Sequence, residues 1–101
     1  MEQIELKLNG AGEGFFELWE NNERLGEMAV AIADGMLTVF HTGVVPKAEG
    51  RGLAKKMLET MVAHARSHNL KIIPLCPYVQ AQFRRHAEVY ADVWKKDGIE
   101  E

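Results

Sequence analysis

A chain of 101 residues with 47% hydrophobic and 27% charged residues fits one globular domain and leaves no room for a second of ordinary size. No apolar run approaches the ~18 residues of a membrane span, and residues 1–9 lack the apolar core of a signal peptide. The single cysteine, Cys76, excludes an internal disulfide and a cysteine-based structural zinc site. These features lead us to expect a cytoplasmic, reducing location with no membrane partner. The net charge of −3 is unevenly divided: residues 1–50 hold nine acids and three Lys or Arg, and residues 51–101 hold six acids and nine. The overall acidity argues against nucleic acid as a partner, while the basic half suits either a small polyanion or a solvated helix face.

In chain order, residues 4–8 alternate, with Ile4, Leu6 and Leu8 on one face, and are predicted to form a strand. Three glycines between Asn9 and Gly14 end it. Residues 15–20 are aromatic-rich and strand-like, and Asn21-Asn22 reads as a hairpin turn. Residues 24–33 continue as a strand, Asp34-Gly35 makes a second tight turn, and residues 36–45 form the fourth strand. Four strands joined this way make an antiparallel meander.

The pattern then changes. Residues 46–52 form a loop containing Pro46, Gly50 and Gly52. From Leu53 to Ser67 the period is helical, with Leu53, Met57, Met61 and Ala65 on one row and Ala54, Leu58 and Val62 on the next. Asn69 is a predicted stop, and residues 71–75 form a short apolar strand. Strand, helix, strand predicts a parallel crossover, with the strand at 71–75 beside the one at 36–45 and diverging from it near Val44 and Cys76. Pro77 opens a helical stretch over residues 78–94 with a break near Ala87, and residues 95–101 read as a frayed tail. The predicted class is α+β: a meander, then β-α-β in a mixed sheet, then a C-terminal helix.

Chemistry concentrates where the fourth strand gives way to the first helix, at EGRGLA (Glu49 to Ala54). Gly50 and Gly52 clear side chains from a place where a ligand can approach the backbone. The first-turn N–H groups of the helix have no internal partner, so this junction suits an anion, phosphate above all. Arg51, Lys55 and Lys56 add charge around it. The segment is not a Walker A loop, since no G-x-x-x-x-G-K-[ST] occurs. Nor is it a dinucleotide fingerprint, which needs a third glycine.

The run from His41 to Val79, HTGVVPKAEGRGLAKKMLETMVAHARSHNLKIIPLCPYV, resembles the pyrophosphate-binding region of the GNAT superfamily of acetyl-CoA-dependent acyltransferases. It is more closely similar to a miniature branch, the small bacterial YjdJ-like GNAT proteins. That branch reads H-T-x-V, E-G-x-G-[IL]-[GA], an amphipathic helix and P-x-C-P-[FY]-V. Glu49 stands where the wider superfamily has Gln or Arg, and Ala87 and Val89 stand where the branch often has Pro and Tyr. The resemblance implies a single acyl-CoA-binding domain over 1–101 with acetyl-CoA as cosubstrate. Pyrophosphate would lie at Gly50, Arg51, Gly52, Leu53, Ala54, Lys55 and Lys56. Pantetheine would lie beside Val44, Val45, Cys76 and Tyr78, between the splayed strands.

Two residues are the catalytic candidates. Cys76 can accept an acetyl group as a thiolate, or it can be a small apolar filler. His41 can take a proton from an amine or from Cys76 near neutral pH, or bond to backbone as a structural histidine. Tyr78 can protonate a departing thiolate or anchor in the core. His86, after Arg84-Arg85, is a weaker candidate for the same cleft, and His64 with His68 lacks a third ligand type for a metal, so none is expected. The implied activity is acetyl transfer to an unidentified amine, by a monomer or weak homodimer. Noncatalytic acyl-CoA sensing and ligand-free partner binding are the other readings.

Overall fold

The computed structural model describes residues 2–96. Strands β1 (Glu2–Leu8), β2 (Glu13–Glu20), β3 (Glu23–Ala33) and β4 (Met36–Val44) form the expected antiparallel meander. Both tight turns have positive φ at both central residues, 53° and 66° at Asn21-Asn22 and 54° and 77° at Asp34-Gly35. This geometry matches the twist of a two-residue hairpin. A 3-10 turn at Pro46–Ala48 leads to α1 (Leu53–Ser67). The helix ends where the sequence predicts: Asn69 takes φ 57°, Leu70 N–H bonds to the Ala65 carbonyl at 2.8 Å, and Asn69 N–H reaches Arg66. That is a Schellman stop with asparagine in the left-handed position.

Strand β5 (Lys71–Pro74) runs parallel to β4, giving the sheet order β1-β2-β3-β4-β5. Then come α2 (Pro77–Arg85), opened by its proline, and α3 (Ala87–Tyr90). The break expected near Ala87 lies at His86, but the C-terminal end is corrected: helix stops at Tyr90, short of residue 94, and Trp94 instead bridges to Ile72 beside β5. The expected frayed tail is also corrected at its start, because Lys95 N–H bonds to the Ile72 carbonyl at 2.9 Å. The remainder of that tail, residues 97–101, lies outside the described residues.

The molecule is a two-layer structure. Buried Phe16, Leu18, Met28, Val30, Leu37, Val39 and Ile72 face one way from the sheet and join Leu58, Met61 and Phe83 of the helices in one core. Residues of opposite parity, such as Phe15, Ala29, Thr38 and Ile73, stay outside that core, so both helices cover the same face. Phe83 fixes the C-terminal segment: its ring stacks on Tyr90 with centroids 4.6 Å apart and meets Trp94 edge-on. Arg66 ties the same segment to α1 through both Asp92 carboxylate oxygens, at 2.9 and 3.1 Å, and the Val89 carbonyl.

Two predictions follow from these anchors. Phe83→Ala should lower the unfolding free energy by about 3–5 kcal/mol in urea denaturation, the usual range for a buried ring. The hydrogen bond from Arg66 holds the Asp92 carboxyl below its ordinary value. Such a group contributes stability above its unfolded pKa and loses it as pH falls through the lower folded one. Asp92→Asn should therefore melt slightly earlier than the parent at neutral pH. Thermal melts should show the gap closing as pH drops below the ordinary aspartate range.

Candidate functional site

Strands β4 and β5 pair only from Met36–Val39 against Lys71–Pro74. The N–H groups of Leu75 and Cys76 then both donate to the Val39 carbonyl at 3.0 Å, which turns the chain into α2. Proline at 74 and 77 removes two further donors from this corner. The divergence expected near Val44 thus begins five residues earlier on β4, although Cys76 marks it correctly on the other strand. From Phe40 to Val44 the strand has β3 on one side and no β5 partner on the other.

At the same point β4 bulges. Ala29 pairs with His41 and Val30 with Val39, leaving Phe40 as an extra residue. The bulge changes the parity of the strand. Leu37 and Val39 face the core before it, and Thr42 faces the helices after it. There the Thr42 Oγ1 lies 3.3 Å from Cys76 Sγ. His41 shares the open face with its partner Ala29, and its Nε2 would lie 3.2 Å from a Cβ added to Gly43. The bulge thus separates the two catalytic candidates. Cys76 is 2% exposed on the helix side, while His41 is exposed on the opposite face, and the structure does not bring them together.

Cys76 is the N-cap of α2 without a side-chain capping bond. The Gln80 N–H closes the first turn on the Cys76 carbonyl, so Tyr78 and Val79 keep unbonded N–H groups beside the thiol. Burial pushes the Tyr78 phenol up, with smaller contributions from Tyr90, Glu59 and Cys76. It therefore stays protonated at neutral pH and can donate. His86 caps the far end of α2, about 15 Å along the helix from Cys76, and stands apart from this corner.

Beyond the split lies the loop. Gly50 and Gly52 adopt φ 86° and 78°, and a Cβ at either would meet no atom within 4 Å. The N–H groups of residues 50–55 donate to nothing among the described residues, whereas Lys56 N–H bonds to the Gly52 carbonyl. Six free donors stand in succession, the last three on the first turn of α1, an arrangement that suits a phosphate oxygen. Leu53 is itself buried and lends only its backbone, as does small Ala54. Val45 has both backbone groups engaged, with Leu25 and Ala48, so its side chain alone is free for contact. Lys55 is exposed and has no ionic partner among the described residues. Arg51 and Lys56 point elsewhere: Arg51 bonds Glu20 and Glu2, and Lys56 bonds Glu2.

Sequence reasoning missed Thr42, Glu2 and Glu20. Thr42 had no clear signal, since apolar residues occur at both even and odd positions of residues 36–45 and hide the inserted residue. His64 and His68 stack with centroids 4.1 Å apart, and burial followed by the His68 charge lowers the His64 pKa. No metal-holding group of three His, Cys, Asp or Glu occurs among the described residues. No helix among them is long and apolar enough to cross a membrane.

Residues 15–93 match the family model described as GCN5-related N-acetyl-transferase. Among solved structures, the chain is similar to a GCN5-like candidate N-acetyltransferase from Staphylococcus aureus. Identity is 32% and the TM-score 0.64, covering 89% of this chain and 86% of that one. It shares its fold with the ribosomal-protein-S18-alanine N-acetyltransferase of Escherichia coli at 18% identity and TM-score 0.60, covering 65% of this chain and 43% of that one. A ribosomal-protein-alanine N-acetyltransferase from Brucella melitensis biovar Abortus 2308 gives 16% identity and TM-score 0.58, with 77% and 62% covered. The chain thus matches less than half the length of the E. coli enzyme. The comparison with curated proteins returned no match.

The left-handed backbone at Gly52 makes one substitution decisive. Gly52→Val places a β-branched side chain at φ 78°, among the free N–H groups of residues 50–55. Calorimetry should show CoA binding abolished, with the helical circular dichroism retained.

Proposed function

The chain belongs to the GCN5-related N-acetyltransferase family, and on that premise we propose that it transfers acetyl from acetyl-CoA to an amine through Cys76. One observation carries the reading: the β4–β5 split opens between the free N–H groups of residues 50–55 and the Cys76 thiol. The loop and Cys76 stand at the same end of the sheet, and the helices that follow them cover the same face. Pyrophosphate on the loop and Lys55 would lead the pantetheine along the unpaired edge of β4 past Val44 and Val45. The thioester would then reach Cys76 before it reached the open face.

In the first half-reaction the thiolate attacks the thioester carbonyl. The tetrahedral oxyanion collapses and the carbon–sulfur bond to CoA breaks. The CoA thiolate takes the phenolic proton of Tyr78, which recovers one from solvent. Thr42 accepts the Cys76 S–H while the thiol is neutral and donates to sulfur once it is ionised. In the second half-reaction the acceptor approaches from the open face. His41 takes a proton from the incoming ammonium at the open face, the neutral nitrogen then attacks the acetyl-cysteine carbonyl through the split, its second proton passes to solvent, and Cys76 leaves as thiolate. The bulge thus divides labour, with the nucleophile on one face and the base on the other. The E. coli and Brucella neighbours act on ribosomal-protein alanine, which makes a protein amine one acceptor to test. The motif residues Glu49, Gly50 and Gly52 support placement in the miniature branch.

A second reading is favoured by the 2% exposure of Cys76, which suits a packed thiol and direct attack by the amine on the thioester. Mass spectrometry separates the two. Through Cys76, acetyl-CoA alone should add one acetyl group to the wild type and none to Cys76→Ser. His41→Ala should keep the adduct but slow its discharge to an amine by about 10²-fold or more. Unimpaired turnover in Cys76→Ser with no wild-type adduct would establish direct transfer. Binding without turnover on any amine would leave an acyl-CoA sensor.

A further inference from the structure

Glu2 and Glu20 are cross-strand partners at the open end of the β1–β2 ladder. Two carboxylates directly opposite each other destabilise a sheet unless something neutralises them. The neutralising charges come from more than 30 residues away. Arg51 forms two parallel bonds to Glu20, Nη1 to Oε1 at 3.0 Å and Nη2 to Oε2 at 2.9 Å, and its Nη2 also donates to Glu2 Oε2 at 2.9 Å. Lys56 Nζ donates to the remaining Glu2 oxygen. Two carboxylates and two cations leave this corner locally neutral. Arg51 is the only side chain between Gly50 and Gly52 that can anchor them, and both of those residues are left-handed.

We propose that Glu2 and Glu20 are positioning residues: by clamping Arg51 and Lys56 against the sheet, they hold the 50–55 backbone with its N–H groups turned outward for the cofactor phosphates. Arg51 then acts as a strut and the ligand meets backbone donors and Lys55. This is an unusual division, because the loop arginine faces protein carboxylates and not the site. A glycine-flanked loop has many accessible conformations, and each one avoided before binding lowers the entropy lost on binding. The role in binding rests on the acetyl-CoA reading above, whereas the clamp itself can be tested without ligand.

The test compares wild type, Glu20→Gln, Glu20→Asp, Arg51→Gln and the Glu20→Gln/Arg51→Gln double variant. In ligand-free protein, ¹⁵N relaxation should report lower order at residues 50–55 in Glu20→Gln, with the rest of the spectrum unchanged. In calorimetry with CoA, Glu20→Gln should raise Kd about two- to fivefold, the scale on which exposed ion pairs act. Glu20→Asp should restore part of the affinity. In the Arg51→Gln background the Glu20→Gln change should have no further effect, because Glu20 acts through Arg51. Once the wild type forms acetyl-cysteine, KM for acetyl-CoA should rise with kcat kept. Tighter CoA binding by Glu20→Gln would overturn the proposal, since the carboxylates would then be competing with the phosphates for Arg51. Unchanged loop order would overturn it as well. A wild type that ignores CoA, together with loss of loop order in Glu20→Gln, would uphold the clamp and reject the cofactor reading.

Discussion

The carbonyl of Val39 is the point on which the architecture of the site turns. It accepts N–H donors from both Leu75 and Cys76, so β5 ends there while β4 continues for five more residues. Parallel strands have evenly spaced, slanted hydrogen bonds and no intrinsic reason to part. Here the parting has a local cause. Pro74 and Pro77 bracket the junction without N–H groups, and the second proline starts a helix that carries the chain over the core. The unpaired edge of β4 is therefore covalently enforced. It survives because the bulge at Phe40 redirects the same stretch of strand.

The bulge and the split work on one another. Had β4 kept a strict two-residue period, His41 and Gly43 would face the helices, and Thr42 would point to the open side. One inserted residue reverses this and brings Thr42 Oγ1 to the Cys76 sulfur. It also sends a titratable ring to the uncovered face, where a solvent-borne amine can reach it. A two-layer molecule has one covered and one bare sheet face, and a gap between two strands is the one kind of opening that joins them.

Regular structure was legible because its signals are local. The two hairpin turns, the Schellman stop at Asn69, the proline at the head of α2 and the period of α1 all declare themselves within a few residues. The crossover followed from element order alone. What stayed hidden depends on distance in sequence. The Phe40 bulge leaves no parity signal, because apolar residues occupy both even and odd positions of residues 36–45. The C-terminal segment, alternating apolar and basic residues, reads as a broken helix out to residue 94 until Ile72, more than twenty residues upstream, claims the backbone at Val93 and Lys95. The loop was found from its glycines, but the orientation of its arginine was not, because the partners lie on the first two strands.

That orientation alters the meaning of the charge asymmetry. A net-negative first half and a net-positive second half invite the view that the basic half waits for an anion. In the folded chain part of that imbalance is internal: Glu2 and Glu20 of the first half meet Arg51 and Lys56 of the second. Exposed pairs of this kind contribute little to stability one at a time. Their consequence is geometric, because they join the two sequence halves at the loop. Where side-chain cations are already occupied, recognition of a phosphate falls to uncharged N–H dipoles. Those dipoles act at short range and depend on backbone conformation. A site built on them is selective for shape and less sensitive to salt than one built on free lysines and arginines. The acidic strands are thus part of the phosphate site without touching phosphate, since they decide which groups of the basic half remain to meet it.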